Sequence, residues 1–246
     1  MYVWDSAALL DARQRADQLR SLHKAGITHV YLGLDAVQLA DSQHTFPAIR
    51  TLIKQAHGQG LAISLLLGDP SWIKPNHRQG LISLVRRMSS LPFDGLHLDL
   101  EVEQLGWPVP DKRLRDWIET VRQVKAASPW PLQLSSHPRW FAEESRRTPC
   151  VPCELQDVGV SDISLMIYTR NARRSADTAV AIARRWPGLH LRLAQSVESD
   201  QPQDLSWAGA SPAQLQRQVT EWRGTLEPAG LGGIDWQEWS EFPRAR

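Results

Sequence analysis

Short apolar segments alternate with longer amphipathic segments along the whole 246-residue chain. Each apolar segment has the length of a buried strand, and the intervening segments repeat apolar residues at helical spacing. Strict alternation of this kind is typical of βα units around a parallel sheet. Eight strands are predicted, at Tyr2–Trp4, His29–Leu34, Ala62–Leu67, Gly95–Glu101, Leu132–Ser135, Ile163–Tyr168, His190–Gln195 and Gly233–Trp236.

The intervening helices carry their own start signals. The clearest predicted helices run from Ser6 to Lys24 and from Asp111 to Ala127, with Ser6 and Asp111 as N-caps. Ser211 is a third predicted N-cap, and a proline follows it at a first-turn position. No GxGxxG turn of a dinucleotide-binding sheet follows any strand. Eight strands in this alternation predict a single (β/α)8 TIM barrel over residues 1–246.

The fourth predicted strand carries a row of ionisable side chains. Because side chains alternate across a strand, His97, Asp99 and Glu101 share one face, which we expect to point into the barrel. A polar row is costly in a lumen otherwise filled with Val, Ile and Leu unless it is hydrogen-bonded or functional. The like charges of Asp99 and Glu101 should raise one pKa, which suits a general acid near neutrality. The alternative is a buried polar network that only makes the barrel rigid.

Active sites of such barrels lie at the C-terminal ends of the strands. Tyr168 and Arg170 stand at the end of the sixth strand, Glu198 follows the seventh, and Asp235 lies in the eighth. These four residues are therefore further candidates for the site.

Tryptophan is unusually frequent, with eleven residues against four Phe and three Tyr. Seven of the tryptophans fall at strand ends or in the loops that follow, namely Trp4, Trp72, Trp107, Trp140, Trp207, Trp236 and Trp239. Because flat indole rings stack on the apolar faces of sugar rings, this set indicates carbohydrate binding more than packing alone.

Residues Asp94–Glu101, with the sequence DGLHLDLE, resemble the DGxDxDxE signature of the chitinase-like family 18 glycoside hydrolases. The resemblance implies that Glu101 is the general acid and that Asp99 orients a substrate N-acetyl group, which acts as the nucleophile. The segment Met166–Tyr168 is similar to the family's Met-x-Tyr on strand six, and Trp236 falls where the family keeps a Trp under the scissile sugar.

A second resemblance is to the large 4/7 clan of barrel glycosidases, with an acid/base Glu after strand four and a nucleophile Glu after strand seven. Glu101 and Glu198 occupy those places, although Leu100 stands where the clan has Asn. Carboxyls about 5–5.5 Å apart imply a retaining mechanism, which we favour, and about 6.5–9.5 Å an inverting one. Glu103 lies past the strand and is expected to be solvated.

The leading hypothesis is a glycoside hydrolase acting on a poly- or oligosaccharide, with Glu101 as general acid assisted by Asp99 and Tyr168, and with no cofactor. One alternative is a catalytically inactive carbohydrate-binding barrel, because His97 and Thr169 replace two aspartates of the family pattern. Another is a metal-dependent hydrolase that uses His97, Asp99 and Glu101 as ligands.

Charge and hydropathy narrow the choice of partners. The chain has 28 basic and 27 acidic residues, a net charge of +1, which argues against nucleic acid. The arginine pairs at 146–147, 173–174 and 184–185 are expected on solvated helix faces. No apolar run approaches the ~20 residues of a membrane span, and no leader precedes Tyr2. We expect a monomer that is cytoplasmic, or exported with its signal removed.

The two cysteines form the motif Cys150-Val151-Pro152-Cys153. A redox-active CxxC normally opens a helix, whereas this one is predicted to lie in a proline-rich loop. A four-ligand zinc site would need a second pair. The motif therefore predicts a loop dithiol or a local disulfide.

Overall fold

The computed structural model describes residues 1–142 and 149–243, and the Arg146–Arg147 pair lies outside them. The described residues form one sheet of eight parallel strands in the order β1 to β8. The strands are β1 Tyr2–Val3, β2 His29–Gly33, β3 Ala62–Leu67, β4 Gly95–Leu98, β5 Leu132–Ser136, β6 Asp162–Met166, β7 Leu191–Ser196 and β8 Ile234–Gln237.

Helices separate successive strands, which confirms the predicted (β/α)8 TIM barrel. They are α1 Ala7–Leu10, α2 Arg15–Lys24, α3 Ala36–Ala40, α4 Ser42–His57, α5 Pro75–Met88, α6 Asp111–Ala127, α7 Val151–Val158, α8 Ala172–Arg185 and α9 Pro212–Leu226. Within the described ranges, no helix is both long enough and apolar enough to cross a membrane. The arginine pairs at 173–174 and 184–185 are exposed on α8, as predicted.

The seam between β8 and β1 is nearly closed. The Trp239 N–H donates a hydrogen bond of 2.9 Å to the Tyr2 carbonyl. In the described part of the chain, β8 is followed by a turn that reaches Pro243 rather than by a helix. A groove of about 620 Å³ lies along this side, and Lys24 of α2 and Arg223 of α9 are among its lining residues.

The local predictions for the helices need two corrections. The predicted helix from Ser6 to Lys24 is broken, because the Asp11 carboxylate accepts hydrogen bonds from the N–H groups of residues 13 and 14. Asp111 is not an N-cap; it is the first residue of α6, and Pro110 precedes it. Ser211 is confirmed as an N-cap, since it forms a reciprocal capping box with Gln214.

The barrel lumen is polar, so the expectation of a lumen filled with Val, Ile and Leu is wrong. The aliphatic core lies instead between the sheet and the helices. Inside the barrel, the Tyr2 hydroxyl lies 2.8 Å from Ser135 Oγ and 3.0 Å from His97 Nε2. The Tyr31 ring packs against His97 at 4.1 Å between centroids. Polar groups are tolerated here because most of them bond to one another.

The CxxC motif does not lie in a loop, contrary to the prediction. Cys150 is the N-cap of α7, Pro152 occupies its first turn, and the two cysteines form a disulfide. The prediction of a local disulfide is therefore confirmed, and its setting is the start of a helix.

Candidate active site

Asp99 and Glu101 stand at the C-terminal mouth of the barrel, directly after β4. Asp99 retains only 8% of its surface, and Glu101 is half-buried. Glu101 precedes a short 3-10 helix, Val102–Leu105, which turns the chain away from the lumen. The alternation of side chains along the strand therefore continues two residues past its last hydrogen bond and places both acids in the mouth.

The environment of Asp99 favours its protonated form. Burial, followed by the charges of Glu101 and Glu198, raises the pKa of Asp99 to about 7, although a hydrogen bond from Ser135 opposes the shift. Asp99 Oδ1 is buried and has no hydrogen-bond partner among the described residues. A carboxyl in this state can hold a proton at neutral pH and release it within the working range of an enzyme.

The surroundings of Glu101 also raise the pKa of its carboxyl. Burial raises the pKa of Glu101, a hydrogen bond from Gln104 lowers it, and the charges of Glu103 and Glu198 raise it. Gln104 Nε2 donates to Glu101 Oε1 at 2.5 Å. Glu101 therefore has an orienting partner, an elevated pKa and partial exposure, as a general acid requires.

Glu198 and Tyr168 complete the group. Glu198 accepts a hydrogen bond of 3.0 Å from Ser196 Oγ, and burial raises the pKa of Glu198 against this bond and one from Gln237. Burial also raises the pKa of the Tyr168 hydroxyl well above its ordinary value, and the next contributions come from Asp99, Glu198 and Glu101. The structure thus brings four predicted residues from strands four, six and seven within one electrostatic neighbourhood.

His97 and Asp235 lie below this mouth. Burial lowers the pKa of His97 to about 3, and Nε2 lies 2.9 Å from Ser135 Oγ. Asp235 is 1% exposed, pairs with Arg192 at 2.8 and 2.9 Å, and accepts a hydrogen bond of 2.7 Å from Ser164. The prediction that these two residues bind substrate is therefore not supported, because neighbouring side chains already hold them.

The described residues offer no ligand set for the hypothesis of a metal-dependent hydrolase. Across residues 1–142 and 149–243, no three His, Cys, Asp or Glu side chains are grouped in a way that could hold an ion. His97 instead contacts two tyrosine rings, Tyr31 at a tilt and Tyr2 edge-on.

Three of the seven candidate tryptophans are packing residues. Trp236 faces outward from β8, because Asp235 faces inward, and its ring lies 6.0 Å from that of Trp222. Trp239 is buried beside Phe242 and donates to Gln18. The third, Trp140, is also buried. The predicted position of Trp236 under a bound sugar is therefore wrong.

Glu103, which was expected to be solvated, is hydrogen-bonded to Trp140. The indole Nε1 of Trp140 donates to Glu103 Oε1 at 2.8 Å. Glu103 is accordingly not a free solvated acid, since this bond fixes it beside the mouth.

The other tryptophans keep exposed surface. Trp4 and Trp72 are half-buried, and Trp107 is 60% exposed with the Arg139 guanidinium 4.5 Å from its ring centroid. Trp207 is half-buried, and its ring centroid lies 5.9 Å from the guanidinium carbon of Arg170, which is exposed at the rim.

Trp4 packs beside the end of β3, next to the Asp99 backbone. Its indole covers Gly68, where an added Cβ would overlap the ring and would lie 3.3 Å from the Asp99 carbonyl. A glycine at position 68 is therefore needed for the indole to close over the strand that neighbours β4. Trp4 therefore keeps partly exposed indole surface beside the strand end that carries Asp99.

Two residues that the sequence reasoning missed support the acids. Gln237, at the end of β8, bonds to Glu198, and Ser135 of β5 bonds to Asp99. Both lie at inward positions of their strands. The sequence contains a signal for both residues, because every second side chain of β5 and β8 faces the lumen, as in β4.

The barrel is similar to solved structures of carbohydrate-acting enzymes. A GH18 chitinase from Pseudoalteromonas aurantia is 12% identical, with coverage of 98% of this chain and 94% of its own and a TM-score of 0.62. A GH113 β-1,4-mannanase is 11% identical over 96% and 85% of the two chains, with a TM-score of 0.62. The PgaB (BpsB) glycoside hydrolase domain from Bordetella bronchiseptica is 12% identical over 93% and 90%, with a TM-score of 0.58.

Barrels described as aldolases are similar in fold as well. Identities this low show the fold alone. No protein-family model and no curated protein matches the chain.

Proposed function

We propose that this barrel is a glycoside hydrolase acting on a poly- or oligosaccharide, with Glu101 as its general acid. The observation that carries the proposal is the group of three carboxyls with raised pKa at the C-terminal mouth, Asp99, Glu101 and Glu198. Glycosidases need one carboxyl that keeps its proton near neutrality and a second negative group or substrate group opposite it. An aldolase that works through a Schiff base would need a lysine instead. None of the residues of this group is a lysine.

Each residue of the group has a part in the proposed reaction. Glu101 donates its proton to the oxygen of the scissile bond, and Gln104 holds the carboxyl in place. Asp99 orients the substrate, and the positive charge that develops on the sugar ring is stabilised by the ionised carboxylate of Glu198. Tyr168 donates a hydrogen bond to the reacting centre, because its hydroxyl keeps its proton throughout the working range. Glu198 or a group of the substrate serves as the nucleophile of a retaining mechanism.

Trp4 supplies a stacking surface beside Asp99. Its ring is partly exposed and fixed over Gly68. Trp107 and Trp207, at the rim, extend the surface to neighbouring sugar units of a longer chain. A sugar bound in the mouth would in this way have an apolar ring face against indole and hydroxyls against carboxylates.

The proposal is tested by release of reducing ends from a panel of chitin, chitosan, mannan and their oligosaccharides. We expect the wild type to cleave one class and Glu101→Gln to lose about 10²–10⁴-fold in kcat, the usual contribution of a general acid. Glu103→Gln is the matched control, because its amide oxygen can still accept from Trp140; it should keep most of the activity.

Two results would contradict the proposal. Full activity in Glu101→Gln would remove Glu101 from the reaction. No cleavage by the wild type, together with tryptophan fluorescence changes on adding the same sugars, would instead identify a carbohydrate-binding barrel without turnover.

A further inference from the structure

The Cys150–Cys153 disulfide lies at the start of α7, outside the proposed active site. Cys150 is the N-cap and the two bonded cysteines are separated by Val151 and Pro152, which are both buried. The buried pair anchors the first turn of the helix against the core, so the two sulfur atoms are held by a fixed piece of backbone.

The two cysteine residues differ in their exposure to solvent. Cys153 is exposed, whereas Cys150 is half-buried. An external thiolate therefore reaches the Cys153 sulfur more easily, and the Cys150 sulfur is then the leaving group. Exchange is faster when the leaving thiolate is stabilised and the attacked sulfur is accessible.

The start of α7 stabilises a thiolate on Cys150. The first N–H groups of a helix have no carbonyl partner within it and carry partial positive charge. A position at a helix N-terminus is a feature that lowers the pKa of a cysteine thiol.

The bond contributes little to holding the fold together. It closes a ring across only two intervening residues, and a small closed loop restricts the unfolded chain less than a long one does. Hydrophobic side chains also hold α7 in place, since Val151 and Leu155 are buried. The barrel should consequently keep its structure when the bond is reduced.

We propose that Cys150 and Cys153 form a reversible dithiol–disulfide site that exchanges with dithiol reductants in the folded protein. A reductant thiolate attacks the Cys153 sulfur, the Cys153–Cys150 bond breaks, and Cys150 leaves as a thiolate. The second reductant thiol, on losing its proton, attacks the mixed disulfide and releases Cys153 as a thiolate that takes up a proton. The reductant leaves as a disulfide, so two electrons pass to the protein.

Dithiothreitol is the probe for the first test. The folded wild-type protein is equilibrated with mixtures of reduced and oxidised dithiothreitol, trapped with iodoacetamide and analysed by mass spectrometry. We expect both cysteines to become alkylated together and reversibly, while circular dichroism and the thermal unfolding midpoint change little. A disulfide that resists reduction until urea unfolds the chain would overturn the proposal, as would thiols that stay reduced in fully oxidised buffer.

The second test assigns the roles of the two sulfurs. The variants Cys150→Ser and Cys153→Ser each leave one thiol, whose alkylation rate is followed against pH. We expect the Cys150 thiol to titrate below the ordinary value of about 8.5 and the Cys153 thiol to titrate near it. Equal midpoints would refute the assignment of Cys150 as the stabilised leaving group. Glycosidase activity is not part of either readout, so both tests are independent of the proposed function.

Discussion

The two buried carboxyls of the barrel, Asp99 and Asp235, should respond to neutralisation in opposite ways. Asp99 lies directly after β4 and Asp235 lies in β8, and both have lost most of their contact with solvent. Asp235 has an arginine and a serine as partners. The neighbouring charges at Asp99 are those of other acids. We therefore predict that Asp99→Asn stabilises the protein at alkaline pH and that Asp235→Asn destabilises it.

The magnitude for Asp99 follows from its pKa. Burial and the neighbouring acids raise this pKa from an ordinary value of 3.8 to about 7, and one pKa unit corresponds to about 1.4 kcal/mol. Because the folded pKa is raised, the protonated carboxyl stabilises the fold below the unfolded pKa of about 4, and that contribution is lost as the pH rises through about 7. Ionised Asp99 thus costs the fold on the order of 4 kcal/mol at high pH.

Asp235 has the opposite linkage. Arg192, both by its charge and by its two hydrogen bonds, lowers the pKa of Asp235 against the effect of burial. Its contribution to stability is present above the unfolded pKa and is lost as the pH falls through the folded pKa. Replacing one partner of a buried ion pair leaves the other unpaired, so Asp235→Asn should cost about 3–5 kcal/mol at neutral pH.

The assay is urea unfolding of the wild type and both variants at about pH 5, 7 and 9. Asp99→Asn should raise the free energy of unfolding at about pH 9 by up to ~4 kcal/mol, and much less at about pH 5. A variant Asp99→Asn that is destabilised at every pH would refute the reasoning. It would mean that the ionised carboxyl has partners and belongs to a structural network.

Two further predictions concern the mouth and the tryptophans. Glu198→Gln should lower the pKa of Glu101, because the substitution removes one of the charges that raise this pKa. Carbon-13 NMR titration of the carboxyls measures the change, and an unchanged Glu101 midpoint would contradict the proposed cluster. Trp236→Ala should cost about 3–5 kcal/mol in thermal or urea unfolding, because it empties a buried site, while sugar affinity measured on the remaining folded protein stays the same. A large loss of sugar affinity without a loss of stability would show that Trp236 contacts the sugar.

The barrel and its mouth could be predicted because both depend on local rules. Alternation of apolar segments with helical segments specifies parallel βα units, and a period of two along β4 places Asp99 and Glu101 on the inward face. Strand ends then meet at one end of the nearly closed barrel. Tyr168 and Glu198 reach the mouth for that reason, although they lie 67 and 97 residues from Glu101 in the sequence.

The errors arose where a long-range partner decides the role of a residue. Asp235 has the same residue type as Asp99 and stands near a strand end, and its pairing with Arg192 of β7 follows from the register between two strands. The sugar-binding position predicted for Trp236 is wrong for a related reason. Asp235 faces the inside of the barrel, so the next side chain of β8, the Trp236 indole, faces outward. The start of α7 had a local signal, because Pro152 occupies a preferred first-turn position.

The contrast between the two aspartates also bears on the choice between an active site and a rigid polar network. In a structural network the charged groups are paired, as Asp235 is paired with Arg192 and bonded to Ser164. Asp99 instead has a buried oxygen without a partner in the described residues and two acids as its main electrostatic neighbours. Such an arrangement destabilises the fold at neutral pH and is expected where a ligand or a proton in transit uses the group. The cost at Asp99, compared with the gain at Asp235, therefore favours the proposed active site over a rigid polar network.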